Sequence, residues 1–194
     1  YQLSFSHYHR VVEDRSTGKR QQGAPGYAVL HSGVMLHAQD PKPMRLDQNW
    51  PISVELQFLA GLPNGRARAT GNVCTPGTHV FHKGQLTKAH IIQSSAKTYS
   101  PDKWVRAEAI VHGNSSIVHL INGVKVLEYA QPQIGGGVVA GYDPKIFQER
   151  QALSHGLIAL QSEGQHVDVR QAELKVLTPS PASPAANTLT STTC

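Results

Sequence analysis

Trp50 to Val80 reads WPISVELQFLAGLPNGRARATGNVCTPGTHV, and its first part decides the fold. Ile52, Val54, Leu56 and Phe58 alternate with Ser53, Glu55 and Gln57. A period of two is the mark of a strand with one apolar face turned to a core. The opposite face carries a carboxylate beside a carboxamide, both able to meet polar ligand atoms. Behind it, Leu62 to Arg66 is rich in turn residues, and Gly71, Pro76 and Gly77 force irregular backbone in TGNVCTPGT. A polar strand face running into a rigid polar loop suits a small-ligand site. The plainer reading is a solvated outer face and an ordinary turn.

Working outward, the same period recurs. Val105, Ala107, Ala109 and Val111 form an apolar face, with Arg106, Glu108 and His112 opposite. Ser116 to Ile121 and Val124 to Tyr129 flank Asn122-Gly123, the pair that best tolerates positive φ in a two-residue hairpin. Towards the N-terminus, Tyr1 to Val12 reads as a strand, Glu13 to Gly26 as a loop, and Tyr27 to His37 as a strand broken at Ser32-Gly33. Ala38 to Asn49 is a loop. Thr78 to His82 and Ala89 to Gln93 are short strands around a Lys83-Gly84 turn. Gln131 to Gln151 reads as a long loop, and Gly156 to Gln161 and Val167 to Val176 as the last strands. No stretch has the amphipathic period of a three-turn helix. About nine or ten short strands predict an all-β protein, an antiparallel two-sheet jelly-roll sandwich.

The totals agree. A chain of 194 residues suits one domain, with 16% charged residues, 17 glycines and 12 prolines. Residues 1–177 form that domain, and 178–194 a Ser/Thr/Pro-rich tail. The net charge is +5, but Lys and Arg are scattered. Nucleic-acid binding is not expected, since it needs basic residues gathered on one surface. No apolar run is long enough to cross a membrane as a helix. The chain begins at Tyr1 without Met, which suggests a processed or trimmed form. The tail composition resembles that of exported proteins, so a periplasmic or extracellular location is expected. Cys74 and Cys194 either pair or stay free.

Two carboxylates stand out. Glu55 has Gln57 on its own strand face, and Glu163 has Gln161 on its own. Facing one cleft, they can share acid and base roles on a sugar. Arg170, expected on the neighbouring strand, can clamp a carboxylate or orient a hydroxyl. Equally, Glu163 can sit in a turn, and Arg170 can pair with it or with Asp168 at the surface. The chain has 11 histidines but no HExxH or Cys/His zinc spacing. A divalent metal would take His37 or His31 together with Glu55. Gly135 to Gly137 lack the Lys-Ser/Thr of a phosphate loop.

These motifs carry a resemblance. HSGVMLHAQDPKPM, DQNWPISVELQFLAG, TGNVCTPGTHV, INGVKVLEY and GLIALQSEGQHVDVRQAEL occur in the order seen in the 3-keto-disaccharide hydrolase domain family. The chain resembles that family from about Tyr27 to Leu177. The resemblance implies a concanavalin-like jelly roll, export, a bacterial source, and cleavage of glycosides whose sugar is oxidised at C3. It implies Glu55, Gln57, Glu163 and Arg170 as catalytic residues, Asn72 and Gln161 as substrate contacts, and metal assistance in some members; His37 is expected beside them as a further substrate contact. Members usually carry Asn-Ser-Gly where this chain has His31-Ser32-Gly33. The partner expected is a carbohydrate. The alternative is a non-catalytic jelly-roll subunit in a larger, membrane-associated or extracytoplasmic protein complex, with the tail laid along a partner.

Overall fold

The computed structural model describes residues 3–146 and 148–178. Residues 179–194 of the tail, with Cys194, lie outside the described residues, and so does the expectation about its docking. Among the described residues twelve strands form two antiparallel sheets. They are β1 (His7–Thr17), β2 (His31–Ala38), β3 (Val54–Leu59), β4 (Asn72–Cys74), β5 (Thr78–His82) and β6 (Gln85–Thr87). The rest are β7 (Ile91–Ile92), β8 (Val105–His112), β9 (Ser116–Ile121), β10 (Val124–Ile134), β11 (Leu157–Glu163) and β12 (His166–Val176). One sheet has the order β12-β1-β8-β9-β10-β5-β6, the other β11-β2-β3-β4-β7. Among the described residues the helical content is one 3-10 turn, Gly26–Ala28. This is the all-β jelly-roll sandwich expected from the period of two.

The core lies between the sheets. Val34, Leu36, Val54, Leu56, Phe58 and Val73 meet Tyr8, Val12, Ala107, Ala109, Val111, Ile117, Ile121 and Tyr129. Each large apolar side chain so buried contributes roughly 1.5–3 kcal/mol. Asn122 and Gly123 take φ of 49° and 78° and join β9 to β10 as a tight hairpin. A polar residue also enters this core. His119 meets the Gly71 carbonyl at 3.0 Å and the Tyr129 hydroxyl at 3.1 Å, which satisfies both ring nitrogens.

Four local readings are corrected. β1 does not stop at Val12 but continues to Thr17, because its charged residues pair across the sheet: Arg15 with Asp168, and Glu13 with Arg170. β2 is not broken at Ser32-Gly33; Gly33 pairs in register with Gln57 and Gln161. Lys83-Gly84 turns β5 into β6, with φ of 51° and 76°, and Ala89–Gln93 keeps a strand only at Ile91–Ile92. β10 runs on to Ile134: its pairing with β9 ends at Tyr129, and from Ala130 it pairs with β5 across a register shift between Ala130 and Gln133.

Candidate active site

The outer face of β3 is as buried as its inner face. Glu55 is 4% exposed, Gln57 2% and Asn72 3%. Strand alternation aims Glu55 and Gln57 of β3 away from the core, and register places Cys74 and Asn72 of β4 beside them. On the other flank, β2 sets Met35 and Gly33 beside Glu55 and Gln57, and β11 sets Glu163 and Gln161 beside His31 and Gly33. Loops wall this face. The result is a cavity of 560 Å³ whose lining includes His31, Glu55, Gln57, Asn72, Cys74 and Glu163. Trp50, Arg68, His90 and the exposed Tyr27 and Val138 also line it, from the surrounding loops.

Hydrogen bonds order the floor. Gln161 Nε2 donates to Glu55 Oε1 at 2.5 Å. Asn72 Nδ2 donates to Gln57 Oε1 at 2.9 Å, and Gln57 Nε2 approaches His31 Nε2 and Cys74 Sγ, each at 3.0 Å. His31 Nδ1 meets Glu163 Oε2 at 3.1 Å, while Nε2 is 3.9 Å from Glu55 Oε1. Gly33 makes room for this arrangement: a β-carbon there would overlap the Glu55 carboxyl.

Burial pushes the Glu55 carboxyl up to about 7. The neighbouring His31 ring and the Gln161 amide pull against this, and the Glu163 carboxylate adds to it. A carboxyl titrating near neutrality in a cavity is suited to take or give a proton at working pH. Burial also holds the Cys74 thiol protonated, with Glu55 and Glu163 acting in the same direction. Burial lowers His90 below the usual imidazole range.

The donors present do not form a ready metal site. Among the described residues no three His, Cys, Asp or Glu side chains close on one point. Both nitrogens of His31 already have partners.

A model of the 3-keto-alpha-glucoside-1,2-lyase-like domain matches residues 1–175. The chain belongs to this family. The lyase-like domain is therefore carbohydrate-related, and the resemblance read from the motifs extends further towards the N-terminus than Tyr27. No curated protein matches the sequence. Among solved structures the domain is similar to the carbohydrate-binding module CBM66 from Bacillus subtilis, at 9% identity and a TM-score of 0.46, over 89% of this chain and 77% of that chain. It is also similar to CG-16, a homodimeric agglutinin from chicken liver, at 8% identity and a TM-score of 0.40, over 90% of this chain and 96% of that chain.

Of the residues expected to converge, the lyase-like domain brings Glu55, Gln57, Asn72, Gln161 and Glu163 together. Two lie elsewhere. Arg170 is on β12, in the other sheet, where it donates to Glu13 at 2.6 Å and stacks 4.5 Å from the Trp104 ring. The expectation requires β12 to pair with β11, whereas β12 pairs with β1. His37 would share a face with His31 and Met35 by strict alternation. Its φ of 50° and a register shift between Leu157 and Ala159 turn it inward instead. There Nε2 meets the Gly113 carbonyl at 2.9 Å and the ring lies 5.8 Å from that of Tyr8. Arg68, Trp50, Tyr27 and His90 were not singled out for the site. All four lie off the long strands, where period carries no signal.

Proposed function

We propose that this domain cleaves 3-keto-glycosides by elimination across C1 and C2, with Glu55 as the base. The observation that carries the reading is a buried carboxyl, raised to about 7, on the floor of a 560 Å³ cavity in a domain of this family. A ketone at C3 acidifies the C2 proton. Glu55 takes that proton, and the electron pair moves onto O3 as an enolate. Collapse of the enolate forms C1=C2 and breaks the bond from C1 to the aglycone oxygen. Water at the open mouth protonates the departing oxygen and takes the proton back from Glu55, so atoms and charge balance. Water can add to the enone product afterwards.

The other residues fit supporting roles. Gln161 holds the Glu55 carboxyl in place. Arg68, a cation in the cavity wall, would stabilise charge developing on O3. Its guanidinium is fixed by a 2.8 Å bond to the Ala60 carbonyl. Trp50 and Tyr27 offer aromatic faces for a sugar ring.

A second reading, a sugar-binding face without chemistry, is favoured by one observation: Asn72, Gln57 and His31 are satisfied by one another. Such a module could serve as the non-catalytic subunit of a larger extracytoplasmic assembly. Incubation with p-nitrophenyl 3-keto-α-glucoside and with the unoxidised glucoside separates the two. Release of nitrophenol from the keto compound alone supports elimination. Binding without release supports the second reading.

A further inference from the structure

We propose that Asn72 is a positioning residue which, through Gln57, fixes the tautomer of His31 with its proton on Nδ1, donated to Glu163. The chain of bonds leaves no alternative orientation. Asn72 is anchored by two backbone groups whose polarity is unambiguous: Ser94 N–H donates to Oδ1 at 2.9 Å, and Nδ2 donates to the Ala69 carbonyl at 3.0 Å. Its other Nδ2 hydrogen goes to Gln57 Oε1 at 2.9 Å. Gln57 must therefore turn Nε2 towards His31, which it reaches at 3.0 Å. An amide N–H can only donate, so His31 Nε2 accepts. The ring proton is then on Nδ1, which faces Glu163 Oε2 at 3.1 Å.

The consequence for Glu55 rests on the elimination reading. With its Nε2 lone pair given to Gln57, His31 offers no hydrogen bond to Glu55 Oε1, 3.9 Å away. Glu55 keeps the Gln161 amide as its donor, and its basicity is preserved. Asn72 thus acts on the base through two intermediates, without touching the reacting atoms.

Asn72→Asp reverses the chain. A carboxylate at 72 still accepts from Ser94 N–H but has no hydrogen for Gln57. The Gln57 amide flips to donate to it and presents Oε1 to His31. Both ring nitrogens of His31 then face acceptors, and the ring holds two protons.

The test is long-range 1H–15N NMR of 15N-histidine-labelled protein, with turnover measured beside it. The wild type is expected to show the Nδ1–H tautomer at His31, and Asn72→Asp two protonated nitrogens. A wild-type Nε2–H tautomer overturns the proposal, as does an unchanged His31 pattern in Asn72→Asp. A merely structural loss would lower the rate and leave the His31 tautomer as in the wild type, and that overturns it. If Asn72→Asp does not fold, the wild-type tautomer still decides. A wild type that shows Nδ1–H but no turnover would contradict the elimination reading and leave the hydrogen-bond assignment standing.

Discussion

Gly33 lies directly beneath the Glu55 carboxyl, and a β-carbon at position 33 would overlap both Glu55 Oε1 and the Leu56 carbonyl. Glu55 therefore folds flat across β2 to reach Gln161 on β11, two strands away.

Gly33→Ala is expected to displace the carboxyl. Overpacking should cost about 1–3 kcal/mol of stability. Turnover of a 3-keto-glycoside should fall by about a hundredfold, because a displaced base loses its alignment. Denaturant melts alongside rates check both effects. Full activity in Gly33→Ala would show that the position of Glu55 does not matter.

The glycine is visible in the sequence, where a glycine inside a strand pattern reads as a break. Its meaning depended on a neighbour 22 positions on, β3 Glu55, which only the register supplies. The apolar face of β3 and the Asn122-Gly123 hairpin were legible because period and turn chemistry are local. The pairing of β12 with β1 is not local, and so Arg170 was misplaced. His37 failed for another reason: one residue of positive φ breaks the alternation on which its placement relied.

Arg170→Ala is accordingly expected to leave turnover within about twofold. It removes an exposed ion pair with Glu13 and a stacking contact with Trp104. The stability cost should be up to about 1 kcal/mol. Steady-state rates and a urea melt test this, and a large loss of activity would return Arg170 to the site.

The buried carboxyls make stability fall as pH rises. Burial raises Asp14, like Glu55, to about 7. Between the unfolded value near 4 and about 7 the folded state holds these protons and the unfolded state does not. Their contribution is therefore full below the unfolded value and is lost by about 7. Asp14→Asn should flatten the decline, measured as unfolding free energy by denaturant at pH 4.5, 6 and 8. An unchanged slope would contradict the assignment of this decline to Asp14.

His119 acts in the opposite direction. Burial lowers it to about 4, so the unfolded state takes up its proton first. Stability from this group is complete above about 6.5 and is lost as pH falls towards 4. His119→Phe should lose about 1–3 kcal/mol at pH 7, since the Tyr129 hydroxyl loses its partner, but should be less sensitive to acid. Melts at pH 4.5 and pH 7 read the difference.

The most direct measurement is exchange of the C2 proton of a 3-keto-glycoside in D2O, followed by NMR together with release of the aglycone. The wild type is expected to remove the C2 proton and release the aglycone, with the rate rising through pH 7 as Glu55 ionises. Glu55→Gln should keep the fold and lose both by about 10²–10⁴-fold. Wild-type rates of C2 exchange and release in Glu55→Gln would contradict the assignment of Glu55 as the base.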